Sequence, residues 1–248
     1  MKRSFLIMVM SVLSTALSFG QKRYEMVVEK TDGTSSVFNT EEVARTYFRE
    51  RSQGDTSCPD SKHPHMIDLG IGTLWACCNV GASSPEQYGG YYAWGETHEK
   101  ALYNWDTYQY GYYNFDGDYS HLVNIGSDIS STQYDAATAN WGAPWRMPTL
   151  DEIKKLLDNC DSEWTTENGV YGRRFTSKIN RGSIFLPAAG YRSDGDLDLA
   201  GSNGLYWSST QLPSYSRGAY GLLFGSGDAY WSYFDRDYGF TVRPVVRK

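Results

Sequence analysis

From about residue 63 to the C-terminus, the sequence consists of short apolar runs separated by residues that favour turns. The runs are rich in β-branched and aromatic residues, which is typical of strands rather than helices. We predict strands at 67–69, 74–78, 90–94, 174–179, 183–187, 204–209, 219–224, 228–233 and 239–245. Such segments bury their apolar side chains only by packing several small sheets together. The sequence therefore predicts an α+β domain with few helices, short twisted antiparallel strands and long loops.

One helix is clearly indicated within this region. Thr149 and Glu152 have the spacing of a capping box, in which each side chain bonds the backbone of the other residue. Ile153 and Leu156 follow at helical spacing. We expect this helix to end near Cys160.

The first residues of the chain have the pattern of a secretory signal peptide. Lys2 and Arg3 precede a short apolar stretch, which ends with small residues at Ser18 and Gly20. We predict a signal peptide over residues 1–20, and an uncleaved N-terminal anchor is the alternative. Export would place the protein in the periplasm, on the outer surface or outside the cell.

Residues 21–49 predict a small β-hairpin followed by a helix. Asp32-Gly33 lies between two β-rich runs, which is a hairpin signal. Asn39 lies three residues before Glu42, which is the spacing of a capping arrangement at the start of a helix. Residues 50–62 are polar and predict a linker. Residues 63–248 then form the main domain.

The charge of the chain excludes some classes of partner. The net charge is −6 and no run of Lys or Arg occurs, which argues against nucleic acid and against anionic membrane surfaces. We expect the protein to be peripheral to a membrane at most. The 20 Tyr, 10 Phe and 8 Trp residues serve both cores and contact surfaces, because each ring has a large apolar face.

The four cysteines are compatible with disulfides in an exported protein. Neighbouring cysteines rarely bond each other, so Cys77 and Cys78 are expected to have different partners. Two pairings of the four remain, and we favour Cys78–Cys160 with Cys58–Cys77 as the second pair. The alternative is that all four are reduced and buried as small apolar residues.

Eight short blocks resemble the Fibrobacter succinogenes major paralogous domain. They occur in the order of that family and cover residues 63–248: DLG (68–70), WACCNVG (75–81), GGYYAWGE (89–96), AATANWG (136–142), WRMPT (145–149), IFLPAAGY (184–191), YWSS (206–209) and GFTVRPV (239–245). The N-terminal unit resembles short leader modules of exported proteins from gut Bacteroidetes.

The resemblance implies a C-type-lectin-like fold, related to formylglycine-generating-enzyme-like domains. In such folds the chain termini meet in one sheet, and loops between the last strands form the ligand face. That face would comprise residues 191–238 here. At position 77 this chain has Cys where the family pattern leads us to expect Thr or another small residue.

Catalysis is not expected from the sequence. Formylglycine-generating enzymes use cysteines in the C-terminal part of the fold, and this chain has no Cys after Cys160. None of the four histidines lies in a recognisable nucleophile motif. A divergent enzyme of the formylglycine-generating type is the alternative.

No cofactor is expected, with calcium as the alternative at one run of carboxylates. Asp194, Asp196 and Asp198 present oxygen ligands at alternate positions, as calcium requires. The run lacks the later bidentate Glu of an EF-hand, and the lectin motifs Glu-Pro-Asn and Gln-Pro-Asp are absent from the sequence. Asp and Gly also occur in ordinary turns.

The C-terminal part of the domain favours a contact surface. Between Gly182 and Arg247 the chain has no Lys and no Glu, but many Tyr, Trp, Ser, Gly, Asp and Asn residues. Binding loops of antibodies favour similar residues. The predicted aromatic anchors are Tyr215, Tyr220, Tyr230, Trp231, Tyr233, Phe234 and Tyr238. The predicted polar specificity residues are Asp228, Asp235, Arg236 and Asp237. We assign Trp207, Phe224, Phe240 and Val242 to the core.

These observations predict a non-catalytic exported protein that binds a glycan or a protein ligand at the cell envelope. The composition of residues 191–238 also suggests a receptor diversified by a retroelement, which variation among sibling genes would test. The alternative function is a structural or pilus assembly subunit of the envelope.

Overall fold

The computed structural model describes residues 25–29, 35–39, 66–112 and 121–248. These residues belong to two units, with the boundary between residues 50 and 51. The predicted signal peptide, the helix predicted before residue 49 and the linker lie outside the described residues. None of the described helices is long and apolar enough to cross a membrane.

The first unit contains an antiparallel hairpin. Its strands are β1 (Glu25–Glu29) and β2 (Ser35–Asn39), and Val27 lies opposite Val37 in the register. The hairpin that the sequence predicts is therefore confirmed.

The described part of the second unit begins and ends in the same antiparallel sheet. β3 (Met66–Asp68), β4 (Thr73–Ala76) and β13 (Val245–Arg247) lie in the order β13-β4-β3. Trp75 in the central strand is buried and lies opposite Val245. The pairing closes the chain of this unit on itself.

Two helices are described in the second unit, α1 (Ala136–Trp141) and α2 (Leu150–Asn159). Asp135 caps α1 with a buried carboxylate that accepts hydrogen bonds from several backbone N–H groups. Thr149 and Glu152 form the predicted capping box of α2. The predicted helix is therefore confirmed, including its end before Cys160.

The remaining strands are also antiparallel to their neighbours and form three further sheets. One sheet comprises β5 (Cys160–Glu167), β6 (Val170–Ser177) and β7 (Ser183–Pro187). The second sheet comprises β8 (Tyr191–Ser193) and β9 (Asp196–Asp198). The third sheet comprises β10 (Gly204–Gln211), β11 (Gly218–Phe224) and β12 (Ala229–Asp235). The described part of the unit is thus a β-rich α+β fold with two helices. This confirms the predicted class of few helices and short antiparallel strands.

The strand predictions differ from the structure in two ways. The runs predicted at 90–94 and 239–245 are held by isolated bridges, such as Tyr92 with Phe240, except for Val245, which begins β13. Conversely, the sequence does not predict β5, β8 or β9. β5 is mostly polar, and Trp164 is its only large apolar residue. Half of the residues of β5 are exposed, so its sequence has no apolar periodicity.

The central sheet of β10, β11 and β12 contributes to two apolar clusters. Leu222 and Phe224 belong to the cluster that also contains Ile153 of α2. Trp207 belongs to the second cluster, with Phe240 and Val242. The predicted core residues are therefore confirmed as buried.

A buried arginine connects the end of β4 to β7 and to the last segment of the chain. Arg243 is 1% exposed, and its Nη1 donates to the carbonyl groups of Ala76 and Cys77 at 3.1 and 2.9 Å. Nη2 donates to the carbonyl of Phe185 at 3.0 Å, and Nε donates to Asn79 Oδ1 at 2.7 Å. Four acceptors in the interior thus depend on one side chain.

Cys160 has a free thiol, which contradicts the predicted Cys78–Cys160 disulfide. The physical reason is their separation: Cys160 packs beneath α2, whereas Cys78 belongs to another cluster, with Cys77 and Ala82. Burial raises the pKa of the Cys160 thiol to about 11. Cys58 lies outside the described residues, so its pairing with Cys77 stays a prediction.

Replacing the buried guanidinium should destabilise the second unit strongly. Arg243→Met leaves buried acceptors without donors, so the free energy of unfolding should fall by roughly 3 kcal/mol or more. Urea unfolding followed by Trp fluorescence measures this change. Arg247→Met, at an exposed end of β13, is the control and should change stability by less than about 0.5 kcal/mol. Equal effects of the two substitutions would contradict this assignment.

Candidate functional site

A cleft of about 460 Å³ opens where separate segments of the second unit meet. One wall comes from residues 103–106 and the turn between β8 and β9, and the other comes from the loop before β11 and the segment that ends β12. The residues that line the cleft are Tyr103, Asn104, Trp105, Asp106, Ser193, Asp194, Arg217, Asp235, Asp237 and Tyr238.

Backbone and side-chain hydrogen bonds hold the first wall in place. The backbones of Tyr103 and Asp194 exchange two hydrogen bonds of 2.7 and 2.9 Å. Asn104 Nδ2 also donates to Asp194 Oδ1 at 2.8 Å. The Tyr103 ring lies directly over Gly239, where a Cβ would approach ring carbons to 2.6 Å, so only glycine fits there. Trp105 is half-buried at the rim of this wall.

An arginine–carboxylate pair forms the second wall. Arg217 Nη2 lies 2.8 Å from Asp235 Oδ2, and Arg217 Nε donates to Asp235 Oδ1 at 3.0 Å. Both side chains are about one-fifth exposed. The bidentate geometry fixes the orientation of the carboxylate. Tyr238 completes the wall with its ring edge-on to Tyr191 at 5.6 Å.

Asp237 is the most perturbed carboxylate of the cleft. Only 5% of the residue is exposed, and its Oδ1 has no hydrogen-bond partner among the described residues. Burial, and then the neighbouring charge of Asp235, raise the pKa of Asp237 to about 7. A buried carboxylate oxygen without a donor is costly to the folded protein, and a strongly perturbed group in a cleft marks a candidate functional site.

A row of aromatic rings continues the site along one face of β11 and β12. Trp231 lies edge-on to Tyr220 at 5.7 Å, and Tyr233 lies edge-on to Tyr215 at 6.4 Å. Trp231 and Tyr233 are 44% and 55% exposed. Arg217 lies 4.9 Å above the Tyr215 ring, so the same guanidinium borders the aromatic row and the cleft. We use the name aromatic row for these four residues.

The other predicted contact residues lie elsewhere on the same sheet. Tyr230 is exposed, but it alternates with Trp231 along β12 and points to the opposite face. Phe234 is half-buried on that opposite face and packs on Phe240 at 4.9 Å. Asp228 is exposed in the turn between β11 and β12.

Arg236 was predicted as a polar contact residue, and this prediction is wrong. The residue is fully buried, with its guanidinium 4.9 Å from the Trp94 ring and 5.2 Å from the Tyr108 ring. Nε donates to the Tyr108 hydroxyl at 2.7 Å, and Nη1 donates to the Ser216 carbonyl at 3.1 Å. The side chain turns inward because buried acceptors surround it, so it supports the cleft without lining it.

The proposed calcium run lies in the hairpin of β8 and β9, with Asp194 in its turn and Asp196 and Asp198 at the two ends of β9. Ser193 pairs with Asp196 across a two-residue turn, and Asp194 has a positive φ of 49°. Asp194 bonds Asn104, whereas Asp196 is exposed. Within the described residues, no group of three or more His, Cys, Asp and Glu side chains is arranged to hold a metal ion.

Sequence reasoning missed the wall formed by residues 103–106 and the partner of Asp235. Asn104, Trp105 and Asp106 are distant in sequence from the residues that they face. The Asp194-Gly195 turn signal lies 90 residues from Asn104 in the sequence, and it does not reveal the long-range pairing of Asp194 with Tyr103. Arg217 was overlooked because a single arginine in a loop has no distinctive pattern.

The pKa of Asp237 predicts a specific dependence of stability on pH. Its folded-state pKa lies above the unfolded value, so the folded protein should lose stability as pH rises from about 4 to about 7. Asp237→Asn removes this loss and should be more stable than wild type at alkaline pH, by roughly 2–4 kcal/mol. Urea unfolding across this pH range measures the difference. Asp106→Asn, at an exposed position of the same cleft, should follow the wild-type profile. Identical profiles for wild type and Asp237→Asn would refute the assignment.

Comparison with known proteins finds a similarity in the C-terminal part of the chain. A family described as a domain of unknown function (DUF8237) matches residues 161–245. No curated protein and no solved structure matches the chain. The matched segment runs from β5 into β13, and therefore includes the aromatic row and every cleft residue except those at 103–106.

Proposed function

We propose that residues 63–248 are a C-type-lectin-like domain of the Fibrobacter succinogenes major paralogous type, and that this domain of an exported protein binds a glycan without catalysis. The continuous surface formed by the cleft and the aromatic row carries this proposal. The two parts share Arg217, whose guanidinium borders both.

The strand pairing supports the proposed fold. β4 near the start of the unit pairs with β13 at its end, as the chain termini meet in lectin-like folds. Cleft residues such as Arg217 and Asp237 lie between or after the last strands of the central sheet. This is the position in which the resemblance places the ligand face.

The chemistry of the cleft supports a sugar as its ligand. Trp105 and Tyr238 are half-buried rings, and rings of this kind pack on the apolar faces of pyranoses. The exposed carboxylates of Asp106 and Asp194 can accept hydrogen bonds from hydroxyl groups. A volume of about 460 Å³ lies within the usual range for small-molecule sites.

The aromatic row supports a ligand longer than the cleft. Trp231 and Tyr233 are partly exposed and stand on the same face of β12, beside the Arg217–Asp235 pair. Exposed rings of this size mark contact surfaces on soluble proteins. A glycan chain bound in the cleft can therefore continue along this face.

An assembly role is the second candidate, and the position of β12 favours it. Among the described strands, β12 pairs only with β11, so its other edge is available to a strand from another chain. Strand addition to such an edge is a common mode of peptide recognition. Tyr230 and Trp231 would then contact the added strand.

A glycan array followed by titration of the purified chain tests the first proposal. We expect saturable binding, and the double variant Trp231→Ala, Tyr233→Ala should weaken it about tenfold or more, because truncated aromatic anchors cost at least 1–2 kcal/mol. Trp105→Ala should weaken binding by a similar factor. Fluorescence or calorimetric titration measures these changes.

Tyr171→Ala is the matched control for these variants. Tyr171 is 52% exposed and stacks on Trp164 in the sheet of β5 and β6, outside the proposed surface. This variant should bind as wild type does. The absence of any glycan ligand, or equal binding by all the variants, would reject the glycan proposal and favour the assembly role.

A further inference from the structure

The carboxylates of the cleft outnumber the cations that border it. The charge of Arg217 is balanced by Asp235, with which it forms a bidentate pair. Asp106, Asp194 and Asp237 also line the cleft, and none of them forms an ion pair within the described residues. The cleft therefore has an excess of negative charge.

The position of Asp237 distinguishes this cleft from an ordinary acidic surface. Asp237 lines the cleft, only 5% of the residue is exposed, and its buried Oδ1 has no hydrogen-bond donor among the described residues. A neutral hydroxyl would supply one donor to this oxygen. An ammonium group would supply a donor and also the positive charge that the cleft lacks.

We infer that the cleft recognises a sugar with a free, protonated amino group, and that Asp237 is the residue that binds the ammonium. This inference rests on the proposed glycan-binding function and deepens it by naming the class of sugar. Asp106 and Asp194 supply further negative charge, while Trp105 and Tyr238 contact the ring of the sugar.

The charged and titratable groups around Asp237 are consistent with a cationic ligand. These groups are Asp235, Tyr238, Asp106, Asp194, Lys100 and Arg217. Lys100 is 2.9 Å from Glu96, and Arg217 is paired with Asp235, so both nearby cations have their own carboxylates. Burial raises the pKa of Asp237 to about 7, and a bound ammonium would favour its ionised form again.

A comparison of two matched trisaccharides tests the inference. The probes are a β-1,4-linked glucosamine trimer with free amino groups and the same trimer with every amino group acetylated. Acetylation removes the charge and keeps the sugar rings. We expect the full-length protein to bind the free amine about tenfold tighter or more in calorimetric titrations near pH 7.

Two variants assign this preference to the cleft. Asp237→Asn should lose most of the preference for the free amine, and its folding is not a concern because the substitution removes a buried charge. Asp161→Asn, at an exposed position of β5, should keep the preference. A preference that persists in Asp237→Asn would overturn the assignment of this residue.

The remaining outcomes separate the inference from the proposed function. Equal or tighter binding of the acetylated trimer would overturn the inference and leave glycan binding intact. Binding of a tri-lysine peptide without binding of the glucosamine trimer would also overturn it, because the ammonium would then belong to a protein ligand. Failure of both trimers and of the whole glycan array would reject the proposed function itself.

Discussion

Hydrogen bonds from two buried arginines to backbone carbonyl groups hold together a unit in which loops connect many short strands. Arg243 donates to three carbonyl oxygens and to Asn79, and Arg236 donates to the carbonyl groups of Ser216 and Val123. Carbonyl groups in long loops lack the partners that a sheet would supply, and a guanidinium has five donors with which to satisfy them. The two buried arginines thus supply the hydrogen-bond donors that neighbouring strands supply to carbonyl groups in a more extensive sheet.

The hydrogen bonds of the buried Arg236 also fix the residues that line the cleft. The backbone N–H of Arg236 donates to the Arg217 carbonyl at 2.9 Å, and its own carbonyl accepts from Trp94 at 2.8 Å. With its side chain also held in the interior, the residue is fixed on several sides. Asp235 and Asp237 on either side of it are therefore held at the cleft. The buried Arg236, in the middle of Asp-Arg-Asp, therefore positions the carboxylates of Asp235 and Asp237.

The sequence predicted local features well and long-range ones poorly. The capping box at Thr149 and the hairpin near residue 33 follow from patterns within a few residues, and the buried position of Trp207 follows from the family resemblance; the structure confirms all three. The pairing of Tyr103 with Asp194 depends on chain closure across many residues, for which a single sequence contains no signal. Arg236 shows the same limit, because composition does not reveal which residue of Asp-Arg-Asp turns inward.

The Arg217–Asp235 pair belongs to the cleft and touches the aromatic row, so a polymer that fills one surface lies beside the other. In the proposed binding mode, once the first rings are bound, the next rings meet Tyr233 and Trp231 at a high effective concentration, since that second contact is intramolecular. The proposal implies that affinity grows with polymer length until both surfaces are covered and is constant beyond it. Binding of this kind would depend on the length of the ligand as well as on its chemistry.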